Sequence, residues 1–137
     1  MKRQAGFEEV EHTADWAYRV WGQNLIELFI QAAVALYTIA GVELGSASPI
    51  TRKIQLQGVD HESLLVAWLN ELLYLRESEN LGFYQFDILH LDQHKLEAEV
   101  RGVPVRNWNK FIKAVTYHNL SIIETQRGLE ATLVLDV

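Results

Sequence analysis

Three short stretches of this chain carry residue types that could do chemistry. Glu11-His12-Thr13-Ala14-Asp15 is a polar cluster in a segment set between two short strands, the kind of place where functional side chains tend to sit. The plain alternative is that Thr13 or Asp15 bonds its own backbone in a turn and His12 is a surface imidazole. In Lys113-Ala114-Val115-Thr116-Tyr117-His118, strand alternation sends Lys113, Val115 and Tyr117 to one face and Ala114, Thr116 and His118 to the other. Its plain reading is a half-exposed strand with a solvent lysine. The third stretch is Leu135-Asp136-Val137, which places Asp136 beside the α-carboxylate of Val137. Adjacent acids repel, and a hard divalent cation, which takes oxygen ligands, relieves that repulsion, as does a solvated terminus.

The composition narrows the chemistry. Without cysteine there is no disulfide framework, zinc ribbon, iron–sulfur cluster or thiol nucleophile, so histidine and carboxylate are the metal ligands available. No Gly-rich phosphate loop, GxSxG elbow, His-Glu-x-x-His or EF-hand loop occurs. A net charge of −6 argues against a stand-alone binder of phosphate backbones. Arg101, Arg106 and Lys110 do cluster near Trp108 and Phe111, as a small basic and aromatic surface for RNA or as a loop covering the edge of the core. The N-terminus has a basic pair but no apolar run behind it, and the longest apolar segments are interrupted by Asn, Glu or Gln. The expectation is a cytoplasmic protein with no membrane partner.

The elements that must position these stretches can be read from periodicity. A chain of 137 residues, 49% apolar, suits one domain spanning residues 1–137. Two stretches repeat one layout: an alternating strand, a Gly, one residue, then an Asn or Asp that opens an amphipathic helix. In the first, Ala17 to Trp21 lead through Gly22 to Asn24, with Glu27 at the capping-box position. Leu25, Leu28, Phe29, Ala32 and Leu36 then recur at helical spacing, and Gly41 is placed to close the helix in a left-handed cap. In the second, Lys53 to Gly58 precede Asp60, after which Leu65, Trp68, Leu69, Leu72 and Leu73 mark a helix running to about Glu79. Glu71, Glu77 and Glu79 should face water or a site. From Phe83 the period becomes two, with strands expected over 83–91, 95–101, 112–116, 121–125 and 129–135. The predicted fold is a two-layer α+β domain, a mixed or antiparallel sheet with both main helices packed on one face.

Taken together, His12-Thr13-Ala14-Asp15, Trp68-Leu69-Asn70-Glu71-Leu72-Leu73-Tyr74, Lys113 to His118 and the closing Leu135-Asp136-Val137 closely resemble the archease family, in the family's order and across nearly the whole chain. Archeases are small acidic proteins that assist the RNA ligase of tRNA splicing and RNA repair. The resemblance implies a divalent cation, calcium, magnesium or manganese, held by Asp15, Asp136 and the main-chain carboxylate of Val137. It makes Lys113 the functional lysine and Glu71 a site-side acid, with His12 and His118 near the same pocket. One departure is that Trp16-Ala17 follows the His-Thr-Ala-Asp segment where the family usually has a small or aliphatic residue.

What the resemblance implies is an accessory factor, not a catalyst. The partner ligase joins RNA ends bearing a 2′,3′-cyclic phosphate or 3′-phosphate to a 5′-hydroxyl, using GTP and manganese. The archease promotes guanylylation of the ligase and restores it for repeated turnover, meeting RNA mainly through the ligase. A rival reading uses the same residues in a metal-dependent phosphohydrolase or ribonuclease, with Asp15 and Asp136 on the cation, Lys113 on phosphate charge and His12 or His118 as general base. Autonomy separates the two, because a hydrolase turns over its substrate without a partner.

Overall fold

Among residues 4–10, 16–117 and 119–137, which the computed structural model describes, both helices begin and end where their capping residues dictate. Helix α1 (Leu25–Ala40) opens on Asn24, whose side chain accepts a hydrogen bond from the Glu27 backbone at 2.8 Å. It closes on Gly41 at φ +65°, a left-handed conformation in which the Gly41 N–H reaches the carbonyls of Thr38 and Tyr37. Helix α2 (His61–Glu79) opens on a capping box: the Asp60 carboxylate accepts from the Ser63 backbone at 2.8 Å, and Ser63 Oγ accepts from the Asp60 backbone at 3.2 Å. It closes on Asn80, also left-handed, which exchanges hydrogen bonds with both backbone groups of Val105.

The Asp60 carboxyl is held below its ordinary value of 3.8, first by the Ser63 backbone N–H and then by the Ser63 and Tyr117 hydroxyls. A depressed carboxylate stabilises the fold above the unfolded value and loses that contribution as pH falls through the folded one. As pH falls from 5 to 2, wild type should therefore lose more stability than Asp60→Asn, which caps without titrating. Identical acid profiles would remove Asp60 from the acid response.

Nine strands surround the helices among the described residues. A five-stranded sheet carries β1 (Gly6–Val10), β2 (Trp16–Gly22), β9 (Gly128–Asp136) and β7 (Ala114–Thr116) in that order, with β8 (Ile123–Thr125) also on β9. The second sheet is built on the fourteen-residue β6 (Lys95–Trp108), which pairs with β5 (Leu81–Leu91), with β4 (Ile50–Gln57) along its first half and with β3 (Val42–Leu44) near its end. Every described pairing is antiparallel. The strands and helices expected from the sequence are present, but divided between two sheets rather than joined in one. The repeated layout explains the division: the strand leading into α1 belongs to the first sheet and the strand leading into α2 to the second. One continuous buried cluster joins both helices to both sheets. Two of its large polar-tipped side chains are satisfied across it, the Tyr18 hydroxyl donating to the Ala32 carbonyl at 3.1 Å and Trp68 Nε1 to the Phe29 carbonyl at 2.9 Å.

The sixth strand also runs to Trp108, well past the expected end at Arg101, because β3 supplies it with a late partner. Arg106 and Trp108 are thus strand residues and not part of a loop, and Trp108 packs against the core.

Candidate functional site

The end of β9 is where the sequence candidates converge. It is a central strand, paired on one side through Trp16–Leu135 and on the other through Val115–Leu135 and Ala114–Asp136. Leu135 is fully buried, and strand alternation turns Asp136 to the opposite, partly exposed face. The Asp136 carbonyl accepts a hydrogen bond from the Lys113 backbone at 2.7 Å, so the lysine's main chain is fixed beside the acid. Neither side chain has a hydrogen-bond or ion-pair partner among the described residues. Val137 follows as an exposed residue.

Asn70 sets the position of this junction from the helix. Its side-chain oxygen accepts from the Val115 backbone at 2.8 Å and its amide donates to the Val115 carbonyl at 3.0 Å, so α2 presents a two-point clamp to the edge strand β7. Val115 is thereby drawn into the core, at 3% exposure, whereas Lys113 and Tyr117 are exposed. This corrects the expected alternation. Lys113 precedes the strand, which begins only at Ala114. Tyr117 is held away from the core by its hydroxyl, which donates to Asp60 Oδ2 at 3.2 Å. Removing the clamp in Asn70→Ala leaves two half-buried backbone groups without partners, which should cost about 1–3 kcal/mol. Urea unfolding measures it, and a change under about 0.5 kcal/mol would show that water replaces the clamp freely.

Two depressions flank the junction and share Phe111. A groove of about 180 Å³ lies between the second half of α2 and the segment before β7, and Lys113 lines it with Asn70, Arg76 and Trp108. An open apolar hollow of about 440 Å³ is lined by Trp16, Lys110, Phe111 and Val137. In it, the Lys110 ammonium lies 3.7 Å from the centre of the Trp16 ring, a cation–π contact. The sequence marked Trp16 only as a departure from the family pattern; nothing local signals this contact, because Lys110 comes from the segment after β6.

Glu71 is half-buried on α2 and is not among the residues that line the groove, where its neighbour Glu77 is. Glu79 is committed to Arg52, 2.6 Å away. Asp15, His12 and His118 lie outside the described residues. Among the described residues no three histidines or carboxylates gather as a metal-holding group. The Asp136 carboxylate at the junction, unpaired among the described residues, is an oxygen donor of the kind a hard cation takes, and it is an incomplete set by itself.

Fold and site define a small α+β domain with an acid-tipped strand end between two open depressions. The chain matches the Archease protein family over residues 7–137. It is 34% identical to the protein archease of Methanosarcina acetivorans, with 96% of this chain and 95% of that one aligned, and 37% identical to that of Saccharolobus islandicus, with 96% and 98% aligned. Among solved structures it is similar to Methanobacterium thermoautotrophicum protein 1598, at a TM-score of 0.71 and 26% identity, with 96% of this chain and 99% of that one covered. A Thermotoga maritima protein described as an archease and possible chaperone shares the fold at a TM-score of 0.67 and 24% identity, covering 95% and 96%. The chain belongs to the archease family. No helix among the described residues is long and apolar enough to cross a membrane.

Proposed function

We propose that this archease-family protein activates the GTP- and manganese-dependent RNA ligase of tRNA splicing and RNA repair, promoting its guanylylation and repeated turnover. The observation that carries the reading is the register of β9: Trp16, next after Asp15 in the chain, pairs with Leu135, next before Asp136, while Lys113 is bonded to Asp136 from the other side. Asp15, Asp136 and the main-chain carboxylate of Val137 would hold a calcium, magnesium or manganese ion. When bound, that ion supplies a hard positive charge for phosphate oxygens. The residues of this chain do the rest. Lys113 offers to phosphate or to an acidic partner group an ammonium that is unpaired among the described residues, and the apolar hollow offers Trp16 and Phe111 as contact area for the ligase.

The test is ligase guanylylation, and RNA joining over many turnovers, with and without this protein. Stimulation that depends on ligase supports the reading. Hydrolysis of RNA or nucleotide by the protein alone would replace it with the phosphohydrolase reading.

Lys113→Ala should weaken stimulation at least tenfold while metal binding persists, because an ammonium cannot ligate a cation. Stimulation assays and metal titrations on the same preparation check this. Loss of metal binding in that variant would make the lysine a structural counter-charge.

A further inference from the structure

Arg76 is a charged residue of α2 that the ligase reading leaves unused. Its guanidinium lies 4.9 Å from the centre of the Trp108 ring, and the two side chains together form part of the groove wall. Arg76 Nε and Trp108 Nε1 are both buried donors without an acceptor. Arg19, Arg52 and Arg127 each pair with a glutamate, whereas Arg76 and Lys113 pair with no acid among the described residues. Arg76 and Lys113 are the two basic residues that line this groove. Half-buried guanidinium groups are stable when an oxyanion meets them, and Arg suits phosphate geometry better than any other side chain.

The groove's shape restricts what the anion is attached to. Its volume, about 180 Å³, accommodates a phosphate. At its rim stand Tyr74 and Phe111, 60% and 57% exposed, two aromatic faces with no buried role. Bases stack on such faces without regard to sequence. Glu77, also on the groove, is an acceptor suited to ribose hydroxyls.

We propose that this groove binds a nucleoside monophosphate, free or at the end of an RNA, with Arg76 and Lys113 on the phosphate and Tyr74 or Phe111 against the base. The site shares Lys113 with the ligase reading but does not rest on it, because binding is read on the isolated protein.

The experiment follows the indole N–H signal of Trp108, assigned with Trp108→Phe, during titration of the full chain. The probes are adenosine monophosphate, adenosine, inorganic phosphate, a short RNA with or without a terminal phosphate, and an aspartate-rich peptide. Adenosine monophosphate and the phosphorylated RNA should move the signal, with at least tenfold weaker binding for adenosine and for RNA lacking the phosphate. Arg76→Gln should weaken binding at least tenfold. If that variant loses its fold because the Trp108 contact is gone, Lys113→Gln at an exposed position carries the same expectation. Tighter binding of RNA than of free nucleotide assigns the ligand to an RNA end, and the reverse assigns it to a mononucleotide; either supports the site. Equal binding of adenosine and its phosphate, unchanged affinity in the variants, or preference for the acidic peptide would overturn it.

Discussion

Asp136→Ala should reduce ligase stimulation to background while the melting temperature stays within about 3 °C of wild type. The two halves of that expectation come from different atoms of one residue. The backbone of Asp136 is structural: it pairs with Ala114 and accepts the Lys113 N–H, and alanine preserves both. Its side chain bonds to nothing among the described residues and lies on the partly exposed face of β9, so truncation opens no cavity in the core. An acid kept in that position without a partner contributes nothing to the fold that alanine would lose. Asp136→Asn sharpens the result, since it keeps the size of the side chain and removes only the charge a cation requires. Equal stimulation by wild type and both variants would remove Asp136 from the site. Loss of stimulation with loss of fold would return the residue to a structural role, which circular dichroism and urea unfolding distinguish.

The helices were legible to their last residues because their signals are local. Asn24 and Asp60 each bond a backbone N–H three residues on, and Gly41 takes the left-handed conformation without steric cost, whereas Asn80, which the sequence did not mark, is bonded in its left-handed conformation to Val105. The strands were legible as strands, from alternation, but not as members of two sheets. Pairing is a property of distant segments: β9 meets β2 from the other end of the chain, and β6 continues past Arg101 because the start of β5 pairs with it as far as Pro104 and Val42 to Leu44 fold back onto the rest. For the same reason the sequence misplaced Val115. Alternation assigned it to the face of Lys113, whereas it lies in the core opposite Leu135 of β9, its backbone held by Asn70, 45 residues away. At the site, the residue types at positions 113, 136 and 137 were visible beforehand, as was the resemblance that joined them. The groove wall was not, because Arg76 and Trp108 meet only when α2 lies beside β6. No periodicity within either segment announces that contact.

Extending the chain beyond Val137 with a few Gly and Ser residues should leave the fold intact and remove most of any metal-dependent stabilisation. With Val137 as its last residue the chain would present a main-chain carboxylate next to the Asp136 side chain, which is unpaired among the described residues, at the end of a strand whose last described pair is Ala114–Asp136. Extension converts that carboxylate into a neutral amide and moves the negative charge away. Strand pairing does not depend on it, since Leu135 is held from both sides and fully buried. If the carboxylate ligates a cation, adding manganese, magnesium or calcium stabilises only the folded state, by about 2.7 kcal/mol at a hundredfold excess over the dissociation constant. The melting temperature of the protein ending at Val137 should then rise by several degrees with metal and fall back with chelator. Acid should shrink that rise, because protons compete with the cation for the same oxygens. The extended protein should melt as the metal-free form does and show little response to metal. Ligase stimulation should fall with it, while the response of Trp108 to nucleotide should persist, because Val137 lines the hollow and not the groove. A full metal-dependent rise in the extended protein would exclude Val137 as a ligand. The cation would then have to be held without it, with Asp136 and Asp15 as the acids left to test.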